Sequence, residues 1–187
     1  MDARILSAAR EAVERHGWRE ATLERIADEA GLSRMTLHRR GVTRAAVLDG
    51  LANVLEQEYR AALWPALTAP GSARERLELA CAAMCEMSER NLELLAALGD
   101  APRDTIFHEP GEAVLTRTVF TEPVERLLRD GAADGSLRAQ ADPAETATVL
   151  FNLIGWTYRH LRRGHGWAPE RARRGVLAIA LEGLAAR

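Results

Sequence analysis

The chain has 187 residues, 47% hydrophobic and only 5% aromatic, with a formal net charge of −2. That length allows one large or two small domains, and a core rich in alanine and leucine but poor in rings points to helices rather than a β sandwich. The balance of charge excludes a polycation wrapping nucleic acid over its whole surface, no apolar run reaches membrane-spanning length, and two cysteines make no disulfide framework.

In chain order, spacing predicts a first helix over about Ala3–His16. Ile5, Leu6, Ala9, Ala12 and Val13 share one face and Arg10, Glu11, Glu14 and Arg15 the other. Gly17 ends it and Trp18 follows as an anchor. No secretory leader is expected, because Asp2 and Arg4 run into this amphipathic pattern rather than an apolar segment, and the expected location is a reducing cytoplasm. Thr22 to Arg44 then reads as two short helices around a tight turn. Thr22 caps the first, whose inward residues are Leu23, Ile26, Ala27 and Ala30. Gly31 supplies a left-handed turn, Ser33 caps the second helix, and Leu37 points back into the core. This is the geometry of a helix-turn-helix. With Leu37 inside, Arg34, Met35, Thr36, His38 and Arg39 project outward. No carboxylate lies between Ser33 and Arg44. Such a face suits the major groove of DNA, where phosphates repel acids and base edges need donors. Residues 1–50 hold nine arginines against eight acids, and the remainder sixteen against nineteen, so the basic excess is local. All 25 basic residues are arginine, which a G+C-rich coding bias explains without selection for phosphate binding.

Thr22 to Leu48, preceded by the Ile5–Trp18 helix, resembles the DNA-binding domain of the TetR family of transcriptional regulators. In that family an Ala-Gly-hydrophobic-Ser turn is followed by Thr-Leu-Tyr, an aromatic residue and a lysine. Here Ala30, Gly31, Leu32, Ser33, Thr36 and Leu37 match, while His38, Gly41 and Arg44 stand in the Tyr, aromatic and Lys positions. The aromatic packs the end of the recognition helix on the first helix, so Gly41 implies a loss of roughly 3 kcal/mol of burial unless Trp18 fills the gap. Arg34, Thr36, His38 and Arg39 are the expected base-edge and nearby phosphate contacts, with Met35 beside them. Thr22, Arg40 and Arg44 are expected to hold the DNA backbone.

Beyond the turn, Thr43 caps a long fourth helix running through Val47, Leu51, Leu55, Tyr59 and Leu63, with Pro65 marking its expected end. Thr68–Ser72 is a loop. Ala73–Leu98 reads as one helix, Pro102 to Pro110 as an irregular connection with one turn around Ile106 and Phe107, and Glu112–Ala132 as another helix, kinked at Pro123. Pro143–Leu161 is apolar nearly all round, and Pro169 starts a last helix with Val176, Leu177, Ile179, Ala180, Leu181 and Leu184. Surplus apolar face on two adjacent helices, 143–161 and 169–186, suggests a homodimer sealed by a four-helix bundle, and the resemblance implies the same.

Cys81 and Cys85 lie one helical turn apart near Met84 and Met87. A thiol pair at that spacing could hold a soft metal or sense oxidants, but no third ligand is close in sequence, and filling of a helix interior is the simpler role. Lone His108, His160 and His165 read as surface or capped core residues. No HExxH, G-x-S-x-G, P-loop or G-x-G-x-x-G motif is present, so no catalytic residue, metal or cofactor is assigned and an enzyme has no motif to stand on. Trp64, Met84, Met87, Phe107, Phe120, Asn152 and Trp156 are candidates to line a cavity between the long helices.

The expected protein is therefore all-α. A helix-turn-helix domain over residues 1–46 is joined by the long helix to an effector-binding and dimerisation domain over 47–187. The resemblance implies a homodimeric repressor that a small-molecule effector releases from a near-palindromic double-stranded DNA operator. The competing expectation is a helical ligand-binding protein whose DNA-binding head has degraded.

Overall fold

The computed structural model describes residues 1–99, 108–109, 112–116 and 118–182. Among them the chain forms α1 (Ala3–Glu20), α2 (Leu23–Glu29), α3 (Arg34–Arg39), α4 (Arg44–Thr68), α5 (Ala73–Arg90), α6 (Leu92–Leu98), β1 (His108–Glu109), β2 (Glu112–Thr116), α7 (Thr118–Asp134), α8 (Pro143–Arg163) and α9 (Pro169–Glu182). The two short strands pair with each other, and the fold is otherwise all-α.

Four boundaries differ from the sequence expectation, each for a local reason. α1 resumes after a break at Gly17 (φ 78°) and carries Trp18 into the core. α4 continues through Pro65 to Thr68. The proline removes one amide near the helix end, and the Thr68 hydroxyl donates to the Trp64 carbonyl at 3.0 Å to close the last turn. The segment 73–98 is two helices, because Asn91 leaves helical backbone (φ −111°, ψ 17°) and its buried side-chain oxygen accepts from Arg10. The seventh helix begins at Thr118, since Glu112–Thr116 is extended. Val114 and Thr116 are β-branched, which favours extended backbone there. Ile106, Phe107 and Leu184 lie outside the described residues.

Two compact units emerge, Met1–Gln57 with Asn91–Ala113 and Glu58–Arg90 with Val114–Arg187. The division falls inside α4, eleven residues beyond the boundary expected at 46/47. The first half of α4 belongs to the head: Val47, Leu51 and Leu55 are buried, and Gly50 lies against Leu6 and Met1 of the N-terminal segment. In this unit α1 packs on α2 and α6 around Ile5, Ala9, Ala12, Val13, Ile26 and Leu37.

In the second unit α5 packs against α7, α8 and α9. Ser72 and Glu75 form a capping box at its start: Glu75 accepts from the Ser72 amide at 2.8 Å, and Ser72 Oγ accepts from the Glu75 amide at 3.3 Å. Asp134 and Ser136 accept the next two amides, those of Ala73 and Arg74. Further along, Glu89 accepts from Arg162 at 2.8 and 2.7 Å and from the Tyr158 hydroxyl at 2.9 Å. The Arg162 bonds, and then Tyr158, hold the Glu89 carboxyl below the usual carboxylate range against the opposing effect of burial. A carboxyl depressed by folding contributes stability that is complete above its unfolded pKa of about 4.3 and fades as pH falls through its lower folded value. Glu89→Gln should therefore lower the thermal midpoint at pH 7. The gap to the unsubstituted protein should narrow as pH is taken below about 4 in parallel melts.

Candidate nucleic-acid interface

The head is built from small caps and two matching turns. Asp2 Oδ1 accepts from the Arg4 amide (2.9 Å), Thr22 from Arg25 (3.3 Å), Ser33 from Thr36 (3.1 Å) and Thr43 from Ala46 (3.1 Å), so a short polar side chain starts each of the first four helices. α2 ends with Gly31 donating to the Asp28 carbonyl and Leu32 to Ala27; α3 ends with Gly41 donating to His38 and Val42 to Leu37. Both are Schellman closures, with the glycine left-handed at φ 60° and φ 66° respectively. That geometry gives a physical reason for glycine at position 41, where the resemblance expects an aromatic residue. Position 41 terminates the recognition helix, and a Cβ there would be strained.

The volume an aromatic would fill is open. A groove of about 370 Å³ is lined by Met1, Ile5, Arg40, Gly41, Val42 and Gly50 among others. Trp18 does not fill it. Its ring is buried beneath the Arg44 guanidinium, whose carbon lies 4.6 Å from the ring centre.

Leu37 is fully buried (0% exposed), and the rest of α3 turns outward around it. Arg34, Met35, His38, Arg39 and Arg40 are exposed, Thr36 and Thr22 half-buried. Arg34, Met35, His38 and Arg39 thus stand on the exposed surface of a short helix whose one buried side chain is Leu37, while Thr22, Arg40 and Arg44 lie on the neighbouring helix ends. Their partners vary. Arg34 is paired with Glu24 of α2, and Arg40 with Asp2 at 3.0 Å. Arg44 donates to the backbone carbonyls of Trp18 and Arg19. Arg39 pairs with nothing among the described residues. The Thr36 hydroxyl lies 2.9 Å from Ser33 Oγ. Asp2 and Glu24 escape a reading of the sequence, because they lie 38 and 10 positions from their partners and share no helix with them. The Gly31 turn, which folds α2 back beside α3, was the available hint for Glu24.

The expected cavity residues do not form one set. Met84, Met87 and Phe120 are buried and Asn152 is half-buried, donating to Thr148. Trp64 is instead 66% exposed, and Trp156 lies on the surface under Arg159, so neither is positioned as interior lining. Both sit on helix faces turned away from the core, whose aromatic places are taken by Tyr59, Phe120 and Phe151. Phe107 lies outside the described residues.

Cys81 and Cys85 are free and fully buried. Burial pushes the Cys85 thiol up to about 12, despite Arg173 nearby, and raises Cys81 further. Thiols held protonated in this way are poor metal ligands and poor nucleophiles, which favours packing as their role. His160 and His165 meet edge to face at 4.9 Å, and the described residues contain no group of three potential metal ligands. No helix among them is long and apolar enough to cross a membrane.

Residues 5–48 match the family of bacterial regulatory proteins described as the tetR family. No match is found among curated proteins. Solved structures similar over nearly the whole chain include a transcriptional regulator of the TetR/AcrR family from Thermobifida fusca YX-ER1. It is 23% identical with a TM-score of 0.73, the alignment covering 96% of this chain and 95% of that one. The regulator FadR from Bacillus subtilis, solved with stearoyl-CoA, is 15% identical with a TM-score of 0.78, covering 97% and 98%. The TetR-family regulator PfmR from Thermus thermophilus is 20% identical with a TM-score of 0.71, covering 96% and 97%. Residues 5–48 are thus similar to the tetR family of bacterial regulatory proteins, and over its length the chain has the fold of these solved structures.

Proposed function

We propose that this chain is a ligand-responsive, DNA-binding transcriptional regulator, a repressor released from a near-palindromic operator by a small-molecule effector. The observation that carries this is the face of α3. Four residues with donor-rich or apolar tips, Arg34, Met35, His38 and Arg39, stand exposed around a buried Leu37, with no acid on the helix itself. Arg34, Thr36, His38 and Arg39 take the base edges and adjacent phosphates, and Met35 offers an apolar contact to a thymine methyl. Thr22, Arg40 and Arg44 hold the DNA backbone.

A single head covers few base pairs, so reading a palindrome requires two. α8 supports a homodimer: it buries Ala147, Leu150, Phe151, Ile154 and Tyr158 in its own unit while Val149, Leu153 and Trp156, at helical spacing, remain exposed. Ile179 on α9 is 75% exposed. These faces form the dimer contact through 143–161 and 169–186. The effector is apolar or amphipathic and binds among the helices of the second unit, in keeping with the acyl-CoA seen in the FadR structure. It shifts the population toward a state whose recognition helices no longer match one turn of B-DNA, roughly 34–36 Å. A hundredfold preference for that state supplies ~2.7 kcal/mol, enough to tip a balanced regulator.

Selection of duplex sites from a random pool by the purified protein tests this directly. Enrichment of a two-fold symmetric sequence is expected, and no enrichment at low ionic strength would sink the proposal. On the selected site, Arg44→Ala should weaken cognate and random duplex alike and flatten the salt slope by about one. A change in base preference with the slope intact would instead assign Arg44 to base reading.

A further inference from the structure

We propose that Glu24 is a specificity-determining residue, a carboxylate that occupies the recognition-face Arg34 and so suppresses binding to arbitrary duplex. This rests on the DNA-binding function proposed above. The segment Ser33–Arg44 carries four arginines and no acid. Two of those arginines nevertheless meet carboxylates brought from other elements. Glu24, on the exposed side of α2, pairs with Arg34; their side chains are 58% and 72% exposed. Asp2 divides its oxygens, Oδ1 capping α1 through the Arg4 amide and Oδ2 accepting from Arg40 at 3.0 Å. Among the described residues, Glu24 has no partner other than Arg34.

An exposed ion pair contributes little to folding, so the Glu24–Arg34 contact is weakly explained as a stabilising device. Its effect on DNA association is larger. Non-specific binding draws almost entirely on arginines neutralising phosphates and releasing counterions. An arginine already neutralised by a carboxylate exchanges one anion for another there, releases little, and leaves the acid facing the phosphates. At a cognate site Arg34 reaches a base edge, where a bidentate hydrogen bond replaces the lost pair, whereas Arg40 meets the DNA backbone on any duplex. The Glu24 carboxylate therefore lowers affinity for random duplex more than affinity for the operator, and raises the ratio between them.

The test is a salt titration of DNA binding by the full chain, read as fluorescence anisotropy on a selected and a random duplex. Glu24→Gln and Asp2→Asn are the variants; asparagine keeps the cap on α1 while removing the charge. Each should bind random duplex more tightly, with a salt slope steeper by about one, so that its advantage grows about threefold between 200 and 50 mM salt. For Glu24→Gln the selected duplex should show a smaller gain and the specificity ratio should fall, whereas Asp2→Asn, whose partner Arg40 meets the DNA backbone on any duplex, should leave the ratio unchanged. In an Arg34→Gln background the Glu24→Gln gain should largely disappear, which a merely structural role for Glu24 would not produce. Unchanged random-duplex affinity and slope in Glu24→Gln, with the unsubstituted protein binding its selected site normally, would overturn the inference alone. Failure of the unsubstituted protein to bind any duplex at low salt would remove the DNA-binding function and this inference with it.

Discussion

Leu37→Ala is expected to destabilise the head by roughly 2–5 kcal/mol and to abolish duplex binding near the melting point of that unit. Leu37 has no exposed surface and is the single side chain that α3 sends into the core. Truncation removes its burial and leaves a cavity between short helices that cannot close over it, since α2 and α3 are fixed by glycine turns at Gly31 and Gly41. A domain is typically stable by only 5–15 kcal/mol, so this loss is a large share. Amide hydrogen exchange over α1 to α3 would register it as lost protection. Arg39→Ala supplies the contrast: its side chain is exposed, so protection should stay intact while affinity for the selected duplex falls by ~1–3 kcal/mol. Unaltered protection in Leu37→Ala would mean that α3 is held by something other than this leucine.

The head was legible because its determinants are local. Thr22, Ser33 and Thr43 are capping residues within three positions of the amides they accept, and Gly31 marks its own turn. Gly41 was harder. Measured against the aromatic expected there it read as a defect, and only the paired hydrogen bonds to Leu37 and His38 show it repeating the closure of α2. The partners of the arginines were not legible, because ion pairs such as Asp2 with Arg40 depend on which helix ends meet in space. Two of the cavity candidates lie outside the core for a related reason. Trp64 and Trp156 have the composition of a pocket lining, but a helical repeat does not say which of two apolar faces turns inward. On α8 the inward face is that of Phe151 and Ile154, leaving Trp156 outside. Pro65 misled because a proline removes one amide bond and weakens a helix without always ending it, and α4 stays helical to Thr68.

In the second unit Phe120→Ala should cost about 3–5 kcal/mol and Tyr59→Phe about 1 kcal/mol, measured by urea denaturation at pH 7. Three rings meet there. Phe120 is stacked on Phe151 at 5.4 Å, and Tyr59 stands edge-on to both, at 5.1 and 5.9 Å. The Tyr59 hydroxyl is buried and donates to the Phe120 backbone carbonyl at 2.6 Å. Because the acceptor is main chain, Phe120→Ala removes a ring and leaves that hydrogen bond its partner. Tyr59→Phe removes the bond and leaves all three rings, and the carbonyl keeps its helical amide within α7. The two substitutions therefore separate ring packing from the hydrogen bond, and the larger effect belongs to the ring. Were Phe120→Ala to cost no more than Tyr59→Phe, the phenylalanine would be bordering space rather than filling it. The place to look for the effector would then be beside this aromatic cluster, and a small apolar compound should bind the alanine variant more tightly than the unsubstituted protein.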